Sequence, residues 1–226
     1  MKHSSSSCFI SCHFVIVVVL QIKQKEHHAD QSLCSSQMLQ SVTNNRCKNI
    51  IMILTTAIDF KADYQISYNN SISELQIHQI SCPCCHHHNL CWHGCYKRKV
   101  FTNSNGGDKV TLKVSRLKCQ FCKATHALLP QNLVPYQQIP LAIQVDVIAQ
   151  SATHSTEEIL SSNICLDECN VKSIIARFRL HWVERLRCES LDLSPIPMLI
   201  QSCISIYRKQ FMQIRGIPLS TFLIPT

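Results

Sequence analysis

Between residues 96 and 118 apolar and polar side chains alternate. Val110, Leu112 and Val114 are separated by Thr111, Lys113 and Ser115, the two-residue period of a strand with one buried face. The pattern predicts a strand over Lys109–Lys118 and a preceding one over Tyr96–Phe101. Asn105-Gly106-Gly107-Asp108 lies between them and predicts a tight turn, since glycine reaches positive φ without steric cost.

Beyond residue 140 the period becomes helical. Ile143, Val147 and Ile148 share one helix face. Ser155 and Glu158 are spaced as a capping box opening a short helix that carries Ile159 and Leu160. Asn163 ends that helix, residues 164–166 turn, and Asp167 caps a long helix. Val171, Ile174, Ile175, Phe178, Trp182 and Leu186 fall on one face of it. A short helix, a turn and a longer helix make the helix-turn-helix order. Elsewhere the signals are weaker. Ser71 and Glu74 suggest a helix start after a turn at Asn69-Asn70. Pro195 and Pro197 are expected to break helix, and Ile200–Phe211 to form a short one.

These patterns divide the chain into six segments. Residues 1–51 are expected to be a poorly ordered or spurious extension. Phe14–Leu20 is apolar but far shorter than the roughly 20 residues of a membrane helix, and Gln21–Lys25 offers no cleavage site for a signal peptide. Residues 52–81 form a lead-in. Residues 82–130 form a β-hairpin unit, and residues 131–140 a linker set off by Pro130, Pro135 and Pro140. The helix-turn-helix occupies 141–190, and a tail 191–226. The expected class is α+β, with a small β-hairpin zinc ribbon followed by helices.

The ribbon follows from cysteine spacing. The chain has 15 cysteines, an odd number without the regular spacing of a disulfide framework. Cys82-x-x-Cys85 and Cys119-x-x-Cys122 stand on either side of the hairpin, with 33 residues between them. Two such turns converge four thiolates on one ion, giving a closed, tetrahedral, structural Zn²⁺ site. A reduced cytoplasm is the compartment this chemistry implies. Cys84, His86, His87, His88, Cys91, His93, Cys95 and His126 crowd the same stretch. Cys84 is expected to point away from the metal. Cys91 and Cys95 with a histidine form a candidate second site, weighed against ordinary packed or surface residues.

Charge is placed unevenly. Residues 82–136 hold eight Lys/Arg and one acid, Asp108, and residues 171–187 hold five Lys/Arg and one acid, Glu184. The chain as a whole carries +8. Basic surface on a hairpin and a candidate recognition helix points to DNA. Lys97, Arg98 and Lys99 are candidate phosphate contacts, and Asn170, Lys172, Ser173 and Arg177 candidate base contacts. No membrane and no small-molecule substrate are expected.

Cys82-Pro-Cys-Cys85, His93-Gly94-x-Tyr96, Arg116-Leu-Lys-Cys119-x-x-Cys122-x-x-Thr125-His126-Ala-Leu-Leu-Pro130, Val134-Pro135-Tyr136 and Phe178-x-x-x-Trp182 resemble a bacterial family of uncharacterised zinc-ribbon proteins, domain of unknown function 6431. That family looks like the N-terminal region of insertion-sequence transposases. The resemblance spans about residues 52–226 and implies DNA binding connected with a mobile element. His86 and Lys123 stand where such metal turns usually place Gly. Related transposases continue into an acidic catalytic core. None follows here, so transposase activity is not implied.

Two rival functions are an active transposase or nuclease fragment and a protein-interaction ribbon. A nuclease gathers carboxylates on Mg²⁺. The acids after the ribbon, Asp146, Glu157, Glu158, Asp167, Glu168, Glu184, Glu189 and Asp192, are mostly explained by helix starts and intrahelical pairs. No catalytic residues are assigned.

Overall fold

Ile50 to Leu54 is an unbroken apolar run, and it forms the centre of the sheet. Strand β1 (Ile51–Leu54) is buried along its whole length. It pairs in parallel with β4 (Thr125–Pro130) on one side and β5 (Thr221–Ile224) on the other. A strand covered on both faces has no polar face to alternate with. In a computed structural model the described residues are 50–60, 63–102, 109–163, 166–214 and 221–224. All belong to one unit, Asn44–Thr226. The expected turn at Asn105–Asp108, the connection at Ile164–Cys165 and residues 1–49 of the extension expected over 1–51 lie outside them. The last two residues of that expected extension, Ile50 and Ile51, are instead buried in the core, and Ile51 opens β1.

The predicted hairpin consists of β2 (Leu90–Phe101) and β3 (Lys109–Cys119), antiparallel, and the sheet order is β2-β3-β4-β1-β5. The register slips between Trp92 and Cys95, where Gly94 takes φ +72°. β4 pairs with β3 over Arg116–Lys118. Farther along, side chains from helix α1 (Tyr64–Ser73) cover the edge of β3. The Lys113 N–H donates to Gln65 Oε1 at 2.8 Å, and the Ser115 N–H to Tyr68 Oη at 2.8 Å. Tyr68 Oη in turn donates to the Leu128 carbonyl at 3.0 Å. Tyr68 is fully buried, and burial pushes its hydroxyl pKa up to about 12.

Helix α1 corrects one expectation. It starts at Asp63, whose carboxylate accepts from the N–H groups of Gln65 and Ile66. Asn69, Asn70 and Ser71 lie inside it. The Ser71 hydroxyl bonds back to the Ser67 carbonyl at 3.0 Å, the alternative use of a serine that a capping-box spacing does not exclude.

Residues 131–140 are fastened to the hairpin. Leu133 and Val134 are fully buried. The Phe101 N–H donates to the Gln138 carbonyl at 3.0 Å, and the Arg98 guanidinium to the carbonyls of Val134, at 2.6 Å, and Gln137. The stretch expected to space two domains is thus part of the core.

Helices α2 (Leu141–Gln150), α3 (Thr156–Ser162) and α4 (Glu168–His181) follow. Both predicted caps are present. The Ser155 N–H donates to Glu158 Oε2 at 2.7 Å and the Glu158 N–H to Ser155 Oγ at 3.3 Å. The Asn170 N–H donates to Asp167 Oδ1 at 2.6 Å. The long helix expected after Asp167 breaks at Trp182, whose φ of −124° leaves the helical range, and resumes as α5 (Val183–Cys188). Trp182 is fully buried, edge-on to Tyr207 and Phe211 at centroid distances of 5.9 and 5.2 Å.

Pro195 and Pro197 open a helix where a break was expected. α6 runs Ile196–Tyr207, with Pro197 in the first turn, where a missing N–H costs nothing. It ends at Arg208 in the left-handed conformation, φ +54°. The architecture is mixed α+β. Among the described residues no helix is long and apolar enough to cross a membrane.

Candidate metal centre

Each Cys-x-x-Cys pair sits in a turn of the same build. In the first, the His86 N–H donates to the Cys82 carbonyl at 2.7 Å and the Cys82 N–H to the His87 carbonyl at 2.9 Å. In the second, which joins β3 to β4, the Lys123 N–H donates to the Cys119 carbonyl at 3.0 Å and the Cys119 N–H to the Ala124 carbonyl at 2.9 Å. Closing the turn this way requires a left-handed residue after the second cysteine. His86 and Lys123 both supply it, each at φ +61°, without being glycine. The Gln120 N–H donates to the Asn89 carbonyl at 2.8 Å and ties the turns together.

The hairpin brings the four sulfurs of Cys82, Cys85, Cys119 and Cys122 within 4.8 Å of one another. Cys82 and Cys122 Sγ are 3.6 Å apart, and Cys85 and Cys119 Sγ 3.5 Å. Both separations are far longer than a disulfide bond of ~2.05 Å. A tetrahedron with Zn–S of ~2.3 Å has sulfurs about 3.8 Å apart, so the donor set and its size fit one soft, four-coordinate ion. Burial pushes the thiols of Cys82 and Cys85 up. Burial acts the same way on Cys119, but the N–H groups of Cys122 and Phe121 outweigh it and bring that thiol down to about 7. Metal ligation uses the thiolate, the form that the hydrogen bonds at Cys119 favour.

His126 is fully buried behind the four cysteines. Its Nε2 is 3.4 Å from Cys82 Sγ and its Nδ1 is 3.1 Å from the Ile50 carbonyl. A carbonyl only accepts, so that contact puts the proton on Nδ1 and turns the Nε2 lone pair toward Cys82. Burial lowers the His126 pKa, which keeps the ring neutral. The contact to Ile50 carries the metal turns onto β1, a link that spacing alone did not reveal. Cys84, expected to point away, is not among the four converging sulfurs. Its sulfur does lie within 4.8 Å of Cys82 Sγ and a His126 ring nitrogen.

The remaining crowd is dispersed. Cys91 Sγ accepts from Gln120 Nε2 at 2.6 Å, Cys95 is exposed, and among the described residues neither joins a cluster of three metal donors. The His87 ring lies against Phe121 at 3.8 Å between centroids.

The proposed DNA contacts fall in different places. Lys97 and Lys99 are exposed on one face of β2. Arg98 points to the other face, its guanidinium held by two carbonyls and its pKa lowered by burial. It is therefore a fastening for residues 134–137 and is not available to a phosphate. Lys172 is exposed and forms an i,i+4 ion pair with Glu168. Asn170, Ser173 and Arg177 line a groove that also includes Lys109 and Tyr136. The acids are occupied locally: Glu158 and Asp167 cap helices, Asp146 accepts from Gln150, and Glu184 pairs with Arg187 at 2.6 Å.

A family model described as "Domain of unknown function (DUF6431)" matches residues 82–178, from the first cysteine of the site to Phe178 on α4. The match supports the family indicated by the sequence resemblance. No curated protein matches the chain, and no solved structure matches it.

Proposed function

We propose that residues 82–178, the stretch the family model covers, form a zinc-stabilised DNA-binding module. The observation that carries this reading is the exposed face of the β2–β3 hairpin. Lys97, Lys99, Lys109 and Lys113 all lie on it and are exposed. Lys97 stands directly opposite Lys113 across the strands, and neither strand contains an acid. Like charges facing each other across a sheet are destabilising. A row of phosphates would offset that repulsion and release counterions on binding.

In this reading Zn²⁺ on Cys82, Cys85, Cys119 and Cys122 fixes one end of the hairpin and performs no chemistry, because a four-thiolate site has no open position. The helices α3 and α4 serve as the helix-turn-helix, and Asn170, Ser173 and Arg177 on α4 are the base-reading candidates. The association with a mobile element belongs to the same proposal and rests on the sequence resemblance.

The test is a titration of the zinc-loaded full chain against duplex DNA at increasing salt. Log affinity should fall linearly with log salt. Lys97→Ala and Lys99→Ala should each reduce the slope by about 0.9 without altering sequence preference. Arg177→Ala should alter preference, by about 1–3 kcal/mol if it reads a guanine. Absence of binding at low salt would overturn the DNA reading and favour a protein-interaction ribbon.

A further inference from the structure

Around Phe101 and Lys109, which face each other across the hairpin, the chain forms a groove of about 660 Å³. Its walls come from the hairpin, from residues 136–139 and from the N-terminal half of α4. The volume is in the range of small-ligand sites. Three features of the lining point to one class of ligand.

The first is aromatic. Tyr136 is 53% exposed and held at φ +64°. A bulky residue in the left-handed region is a true outlier, and such strain gathers at ligand clamps. Phe101 lines the groove with it. The second is cationic. Lys109 Nζ stands 4.7 Å from the Phe101 ring centroid. Arg177 Nε donates to the Ser173 carbonyl at 3.1 Å, and burial alone lowers its pKa. Among the described residues neither cation forms an ion pair. The acid of the lining, Asp167, is engaged in capping α4. The third is polar: the side chains of Asn170 and Ser173 add donors and acceptors on the α4 wall.

A ring to stack, unpaired cations and hydrogen-bonding side chains suit a base joined to a phosphate. Lys109 belongs both to the lysine face and to the groove, so a strand held along that face reaches the groove with its next nucleotide. We infer that the groove takes one unpaired nucleotide of a DNA strand, the base stacked on Tyr136 with its edge toward Asn170, Ser173 and Arg177, and the phosphate at Lys109. This rests on the nucleic-acid reading for the source of the nucleotide, not for its chemistry.

The test uses the zinc-loaded full chain and three probes: a short single-stranded oligothymidine, a duplex of the same length, and free thymidine monophosphate. Tyr136→Gly removes the ring and relieves the backbone. It should weaken the single strand by roughly 5- to 150-fold, the range of one base–aromatic stack, while Tm rises. Lys97→Ala should reduce the salt slope and leave the Tyr136→Gly effect in place. Unchanged single-strand affinity in Tyr136→Gly overturns the groove assignment, even if duplex binding stands. A fall in Tm with that variant overturns it as well, because Tyr136 is then a packing residue. Binding of the free nucleotide without the strand overturns the strand as the source. Failure of all three probes overturns both this inference and the nucleic-acid reading.

Discussion

The two ends of the β2–β3 hairpin treat charge in opposite ways. At the cysteine end, four groups that become anionic on ligation are packed within 4.8 Å of one another. Only a cation at their centre makes that arrangement favourable. Along the exposed face and toward the other end, Lys97, Lys99, Lys109 and Lys113 face solvent without an acid on either strand. The first region is completed by an ion the size of its cage. In the proposed function the second is completed by something extended and anionic. On the proposed reading, unbalanced charge is a structural device in one place and a partner surface in the other.

The contrast can be broken most severely at the cysteine end. Zinc removal, or Cys119→Ser, should cost on the order of 10 kcal/mol of metal-coupled folding in residues 82–130. Thermal unfolding with and without chelator measures it, and an unchanged melting profile would detach the fold from the metal.

Arg98 separates the two kinds of basic residue on one strand. Arg98→Met leaves the carbonyls of Val134 and Gln137 without their donor and should destabilise by about 2–4 kcal/mol. Lys113→Gln, one residue along in the facing register, relieves the repulsion with Lys97 and should raise stability by about 0.2–1 kcal/mol while weakening DNA binding. Denaturant melts decide between them; a large loss for Lys113→Gln would make the lysine face structural.

The smallest effect refines the metal turns themselves. His86→Gly and Lys123→Gly remove the left-handed strain at φ +61°. Each should raise stability by up to about 1 kcal/mol, offset in part by the entropy glycine adds to the unfolded chain. Zinc content should stay unchanged. Destabilisation in both would mean that these side chains contribute packing that outweighs the strain.

What could be read in the sequence was local. Two Cys-x-x-Cys turns, the alternation of β3, the Ser155–Glu158 box and the Asp167 cap each depend on residues a few positions apart. What could not be read depends on distant segments. β1 has no alternation because both of its faces are buried, and its parallel partners begin at Thr125 and Thr221. The groove combines side chains from three segments, and no short motif announces Tyr136 as part of it. Arg98 differs, because the period of two already separated it from Lys97 and Lys99. Treating the three as one cluster overlooked the face to which each would point. Ser71 and Glu74 misled for a physical reason: the same serine hydroxyl that caps a helix can bond the carbonyl four residues back within one.

The most direct test of the account is the metal itself. Metal analysis of the purified full chain should find one zinc per chain. Cobalt substitution should give the intense visible absorption of a tetrahedral four-thiolate ion, and Cys119→Ser should lose it. A protein that carries no metal, or a Cys119→Ser variant that binds it with unchanged affinity and spectrum, would contradict the assignment of Cys82, Cys85, Cys119 and Cys122 as the centre that holds the hairpin.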